Sequence, residues 1–210
     1  MVEYTYDYYS RKPGIQVNYG KVTLALIIIC VAVFFLLPEA AYEYLMFNSN
    51  YVLARPWTLI TNAFLHADIF HLLFNMFSLF MFGSILELRH GSKFIILLLV
   101  LSVILGNILF GIFNPGVWGL GISGYVFGLI GAAVILEPKA RVIFPIGYIY
   151  TTAPISLAGP IMFLGEVIFS LLGGDGIGHV AHAAGFIAGV VLAYIKKKFT
   201  HKEYEYTIEY

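Results

Sequence analysis

Polar residues divide the chain into six long apolar runs, near residues 22–41, 59–86, 93–113, 119–136, 153–172 and 178–195. A helix needs about 20 apolar residues to cross the hydrocarbon core of a bilayer, so the pattern predicts six transmembrane helices. Small residues recur inside these runs at helical spacing. Gly124, Gly128 and Gly131 or Ala132 share one stripe of the fourth, and His182, Gly185 and Gly189 share one stripe of the sixth. Side chains this small let two backbones approach closely, so the fourth and sixth helices are expected to pack together. Taken singly, each stripe is an ordinary packing device.

Composition agrees with the pattern. Of the 210 residues 60% are hydrophobic and 11% charged, with a mean hydropathy of +0.86, whereas soluble domains carry about 25% charged residues. A soluble fold is excluded, and no nucleic-acid partner is expected. The lone cysteine, Cys30, permits no internal disulfide.

The net charge of zero conceals an ordered distribution. Arg11, Lys12 and Lys21 precede the first run, Arg89 and Lys93 separate the second from the third, and Lys139 and Arg141 follow the fourth. Lys196, Lys197, Lys198 and Lys202 follow the sixth, and only Arg55 falls on the other side. By the positive-inside rule, the side holding eleven of the twelve basic residues is cytoplasmic, which places both termini there. The organisation read from this is a cytoplasmic tail over 1–21, an all-α six-helix membrane domain over 22–195 and a second cytoplasmic tail over 196–210. The first run is not read as a signal peptide, because "PEAAYE" is a poor cleavage site and losing the helix would spoil the charge alternation. The tails "EYTYDYYS" and "EYEYTIEY" alternate tyrosine with charge, a pattern suited to strands or an interfacial coat.

Polar groups inside a membrane are costly, and the few present are candidates for chemistry. "HADIFHLLFNMF" supplies His66, His71 and Asn75; the fourth run supplies Ser123; "GHVAHAAGFIAG" supplies His179 and His182. Runs two, four and six all start on the outer side, so these residues lie just below one surface. His71 and Asn75, four apart, project from one helix face, while His66 points about 140° away and is expected to anchor a loop. The glycine stripes would set His182 beside Ser123. Histidine can take the proton of an otherwise weak serine nucleophile, and the start of the Ser123 helix offers backbone N–H groups to a developing oxyanion. His71 and Asn75 become further donors to that oxyanion. A third, orienting carboxylate is missing, since Asp68 and Asp175 lie in loops and no acidic residue accompanies His182, so Phe127 is expected to orient the imidazole by stacking.

These residues together resemble the rhomboid intramembrane serine proteases of the minimal six-helix prokaryotic type. "HADIFHLLFNMF" resembles the family's second-helix motif, and "GSILELRHGS" resembles its glycine and Glu-x-Arg ending. "GISG" resembles the Gly-x-Ser-Gly nucleophile motif, and "AHAAGFIAG" resembles Ala-His-x-x-Gly-x-x-x-Gly. The resemblance implies Ser123 as nucleophile, His182 as base, His71 and Asn75 at the oxyanion, and Gly124, Gly128, Gly185 and Gly189 in close helix packing. It implies cleavage of transmembrane protein substrates near the outer face of the cell membrane through an acyl-enzyme, with lipid as surroundings and with no metal or cofactor. "RPWTLIT" departs from the family's Trp-Arg pattern, and no role is carried over to Arg55.

An inactive rhomboid-like binder of transmembrane segments would be expected to lack the serine or the histidine. A metal site on His66, His71, His179 and His182 is disfavoured because no His-Glu-x-x-His occurs and no carboxylate ligand accompanies the histidines. Aspartyl proteolysis needs two embedded aspartates, and Asp175 has no partner. A transporter would be expected to show matching halves.

Glu166, in "IMFLGEVIF", has no place in the resemblance. It lies about 10 Å below the outer end of its run, where a lipid-facing carboxylate would cost at least about 2.5 kcal/mol. It is therefore expected to face the bundle or a water-filled cavity, or else to be protonated, with a hydrogen bond to a neighbour such as Asn107 and the lining of a cavity for hydrolytic water as its two candidate parts.

Overall fold

The structure, a computed structural model, describes residues 20–146, 149–173 and 176–208. The N-terminal tyrosine-rich tail and Asp175 lie outside the described residues. Helix occupies the larger part of every apolar run, in the order α1 (Lys21–Leu36), the short α2 (Glu39–Leu45) and α3 (Thr58–Thr61), then α4 (Ile69–Ser78), α5 (Ser84–His90), α6 (Ser92–Phe113), α7 (Ser123–Leu136), α8 (Ile155–Leu172) and α9 (His179–Ile208). Helices α4 and α5 are one continuous rod with a π turn over Leu79–Gly83. Among the described residues, four helical stretches are long and apolar enough to cross a membrane: Ile69–His90, Ser92–Phe113, Ile155–Leu172 and His179–Phe199. The apolar helices α1 and α7 are shorter. The chain is a multi-pass membrane protein, mostly helical.

Three sequence expectations need correction. The second apolar run is not helical from its start, because a 3₁₀ turn over Asn62–Phe64 and an extended loop precede α4. Asp68 ends that loop, its carboxylate accepting from the N–H groups of Phe70 and His71 and so satisfying the first turn of α4. The chain is also not all-α. Strands β1 (Arg141–Ile146) and β2 (Ile149–Pro154) pair antiparallel between α7 and α8, with Arg141 opposite Pro154. β-Branched residues are frequent there, at Val142, Ile143, Thr151 and Thr152, and the Arg141 guanidinium closes the pair by donating to the Thr152 hydroxyl and carbonyl oxygens. Finally, α9 runs unbroken through Lys196–Lys198 to Ile208, so most of "EYEYTIEY" is helix and not strand. Extending an existing helix avoids the nucleation cost that a new element would meet.

The tightest packing joins α7 to α9. A β-carbon on Gly185 would overlap the Gly124 carbonyl oxygen, and one on Gly189 would overlap that of Gly128. A β-carbon on Gly131 would meet the Phe186 carbonyl, and one on Gly128 would strike Ser102 of α6. Gly124 differs: a β-carbon there would stand an ordinary 3.4 Å from the Ala181 carbonyl oxygen. What Gly124 contributes to the contact is its carbonyl. Around this seam Ile95, Leu98, Ile122, Tyr125, Leu129 and Ile155 are fully buried, the Tyr125 hydroxyl donating to the Ile95 carbonyl.

Polar ties hold the remaining elements. Glu87 of α5 accepts from the N–H groups of Val22 and Thr23 and from the hydroxyls of Thr23 and Ser92 at 2.7–2.9 Å. A carboxylate is thereby set at the positive end of α1, whose first N–H groups have no partners within the helix. Asn107 of α6 and Asn62 exchange side-chain hydrogen bonds, Asn107 also donates to the Leu59 carbonyl, and the Asn62 carbonyl accepts from the Gly121 N–H. In the α2–α3 region Trp57 donates to the Tyr44 carbonyl, while Arg55 donates to that of Glu43 with its guanidinium over Tyr44 and Tyr51.

The α7–α9 contact generates a graded expectation. Gly185→Ala and Gly189→Ala should each cost at least about 1–3 kcal/mol through overpacking against backbone that cannot give way. Gly124→Ala should melt close to wild type. Thermal unfolding in detergent micelles measures the difference, and equal melting of all three would refute the interlocked seam.

Candidate active site

Ser123 is the first residue of α7, directly after Gly121 and Ile122. Gly121 has φ +110°, a conformation that side chains disfavour, and this turn reverses the incoming loop into the helix. Gly178 and Ile177 make the corresponding entry to α9, with the His182 N–H donating to the Gly178 carbonyl. Because Gly185 rests on Gly124, the first turns of the two helices lie side by side. Ser123 Oγ is 2.7 Å from His182 Nε2. His182 is 9% exposed, and the Phe127 ring lies parallel to it, with centroids 4.7 Å apart and planes 9° from one another.

The far side of the imidazole overturns a sequence inference. A carboxylate does accompany His182: Glu166 Oε2 of α8 lies 3.0 Å from its Nδ1. The same oxygen is 2.6 Å from His179 Nδ1, and the His179 ring stacks on Phe169. Asn107, considered as a partner for Glu166, is engaged with Asn62 instead. The objection that the histidines lack a carboxylate ligand fails as well, since Glu166, His179 and His182 offer three donor atoms within 4.8 Å of one another. Sequence carried one signal for this arrangement, the unexplained charge in an apolar helix, but nothing in spacing connects α8 to α9.

His71 approaches from α4. A β-carbon on Gly121 would sit 2.8 Å from both Nε2 and Cε1 of His71, and 3.8 Å from Ser123 Oγ, so the His71 ring tip and the serine hydroxyl border the same small space. His71 Nδ1 accepts from the Ala67 N–H at 3.4 Å. A neutral imidazole so paired carries its proton on Nε2, the nitrogen facing Gly121. Asn75 is buried one turn below, with one amide N–H on the His71 carbonyl. His66 belongs to the loop before α4, so helical spacing does not govern its direction; its ring packs edge-on against His71 with centroids 5.1 Å apart. Burial, with His71 beside it, pushes the His66 imidazole down to about 4.

Residues 53–199 match the family model of the Rhomboid domain. The chain belongs to the rhomboid family. It is 30% identical over 195 residues to the Rhomboid protease GlpG of Haemophilus influenzae, covering 89% of this chain and 96% of that one. It is 26% identical over 198 residues to the Rhomboid protease GlpG of Yersinia pestis, covering 90% of this chain and 67% of that one. By this relationship the rhomboid protein described here is a serine protease. All the residues drawn together above, from His66 to His182, fall inside the matched span.

Gly121, quoted in "GISG" but given no role from sequence, is the residue whose replacement should be most informative. Gly121→Ala combines backbone strain with a clash against His71, and should reduce turnover by at least about 10²-fold, the scale of losing one oxyanion donor. Steady-state cleavage of a transmembrane peptide measures it, and wild-type turnover would show that His71 can move away freely.

Proposed function

We propose that this rhomboid protein is an intramembrane endopeptidase that cleaves transmembrane protein substrates by a Ser123–His182 pair through an acyl-enzyme. The observation that carries the reading is the 2.7 Å approach of Ser123 Oγ to His182 Nε2 at the start of α7. In the ground state Ser123 O–H donates to the Nε2 lone pair. As Oγ attacks the scissile carbonyl carbon, that proton passes to Nε2 and the carbonyl oxygen takes the negative charge. Backbone N–H groups at the start of α7, His71 Nε2–H and the second amide N–H of Asn75 are the donors available to it. The tetrahedral species collapses, the C–N bond breaks and imidazolium returns its proton to the leaving amine. A water then attacks the ester with His182 again as base, releasing the acid and restoring Ser123. Phe127, stacked on the base, keeps its ring plane directed at Oγ.

The lipid setting follows from length and charge. Helix α7 has 14 residues, about 21 Å, against a hydrocarbon core of about 30 Å. If its far end, next to Glu137, Lys139 and Arg141, meets one interface, Ser123 lies roughly 9 Å below the other. The distribution of basic residues supports an outer position for the Ser123 end and a cytoplasmic one for both termini. A transmembrane substrate would thus be cut inside the membrane near its outer end. An inactive binder of transmembrane segments has no need of a hydroxyl set on a buried imidazole.

Ser123→Ala and His182→Ala should each abolish turnover of a fluorogenic transmembrane peptide, and the double variant should be hardly worse than either, because the two act as one unit. Wild-type turnover should persist in EDTA; loss there with recovery on adding zinc would transfer the reaction to the Glu166, His179 and His182 donors.

His71→Ala and Asn75→Ala should each lower kcat by about 10²- to 10³-fold with little change in KM, since each removes one donor and leaves the backbone groups. A raised KM at constant kcat in both would make them substrate-binding residues.

A further inference from the structure

Glu166 stands on α8, the least enclosed of the four long helices, yet its side chain is turned into the bundle and its Oε2 is shared by two imidazoles. A carboxylate has only acceptor sites, so each Nδ1 facing it must be the protonated nitrogen. His179 therefore donates from Nδ1, and so does His182. For His182 the consequence is chemical: with the proton on Nδ1, the lone pair is on Nε2, the atom 2.7 Å from Ser123 Oγ. The opposite tautomer would place N–H against the serine and leave no base.

We infer that Glu166 is a positioning residue that fixes the tautomer and direction of His182 and offsets the charge His182 acquires when it takes the serine proton. This deepens the proposed serine chemistry and rests on it. His179 has a distinct part. Its Nδ1 takes up the same oxygen at 2.6 Å, its ring is held against Phe169 and stands edge-on to His182, so a second imidazole grips the carboxylate beside His182. A free glutamate could swing among several rotamers; one tied to His179 stays at His182 Nδ1. Glu166 never touches the substrate in this scheme. Its effect is largest when the imidazole becomes imidazolium, because the pair is then an ion pair in low dielectric, and that occurs in the transition states of both half-reactions. Loss of the orienting acid in serine proteases with a full triad costs about 10⁴-fold in kcat. Here Phe127 also holds the ring, so the expected loss is smaller, about 10- to 10³-fold.

Three variants separate positioning from support. Glu166→Gln keeps the shape and one acceptor oxygen without the charge, Glu166→Asp keeps the charge on a shorter arm, and Glu166→Leu removes both. Cleavage of a transmembrane peptide is measured per active site, with sites counted by end-point labelling of Ser123 with a fluorophosphonate, alongside melting. Glu166→Gln is expected to lower kcat by about 10- to 10³-fold at nearly unchanged KM and Tm, and to slow fluorophosphonate labelling in parallel. Glu166→Asp should recover part of the loss, since it keeps the charge that faces His182. Wild-type kcat in Glu166→Gln, or a lower Tm with wild-type kcat per labelled site, overturns the inference and leaves Glu166 as a strut between α8 and α9. A raised KM at constant kcat overturns it in favour of substrate contact. Glu166→Leu bears on the inference only if it folds, and the other two variants decide without it. Activity surviving in Ser123→Ala would instead overturn the serine mechanism beneath it.

Discussion

Everything in this fold depends on two helix backbones touching. In lipid the hydrophobic effect does not draw apolar helices together, because the tails are as apolar as leucine, so association must come from close packing and from polar contacts. Helices α7 and α9 use the first. Carbonyl oxygens of Gly124 and Gly128 rest where side chains of Gly185 and Gly189 would otherwise stand. Contacts spaced four residues apart on each helix leave little freedom to slide. The register then sets the depth of His182 against Ser123, and a slip of one residue, about 1.5 Å, would break a 2.7 Å hydrogen bond.

Around that seam the polar side chains act as ties whose worth comes from the absence of water. Glu87 satisfies the start of α1, the Asn62–Asn107 pair secures the loop that delivers Gly121, and Asp68 opens the helix that carries His71. Each joins segments distant in sequence or ends a helix, and each would be expensive to leave unpaired. Glu166 follows the same rule with a different outcome. Its partners are not free backbone groups but two imidazoles, one of them set against the serine. A carboxylate pairing of the kind that elsewhere holds the fold together here joins α8 to the histidine that meets Ser123.

Much was legible in the amino-acid order. Hydropathy located the apolar helices, the small-residue stripes named the pair that packs, and the four motifs pointed to the rhomboid family and to Ser123, His182, His71 and Asn75. Such features are local or periodic, and periodicity survives in one dimension. The β1–β2 pair and the helical C-terminal segment were missed where local pattern and context conflict: alternation in "EYEYTIEY" suggests a strand, but a helix already running through Ala193 and Lys198 continues at little cost.

What only the tertiary structure decided is how the elements meet. The sequence shows Glu166 as a charge in an apolar helix and cannot say which neighbour receives it, because α8 can rotate about its axis without altering its hydropathy pattern. Packing chose the face that turns the carboxylate to His182 and His179, and it set Asn107 on Asn62 instead. It likewise brought His71 to Gly121, through a loop whose φ of +110° no helical periodicity describes. The residue types able to do the chemistry are a property of the chain by itself. Their distances, and the carboxylate behind His182, exist only once helices interlock, because hydrogen bonds of 2.6–3.0 Å demand a precision that one-dimensional spacing does not carry.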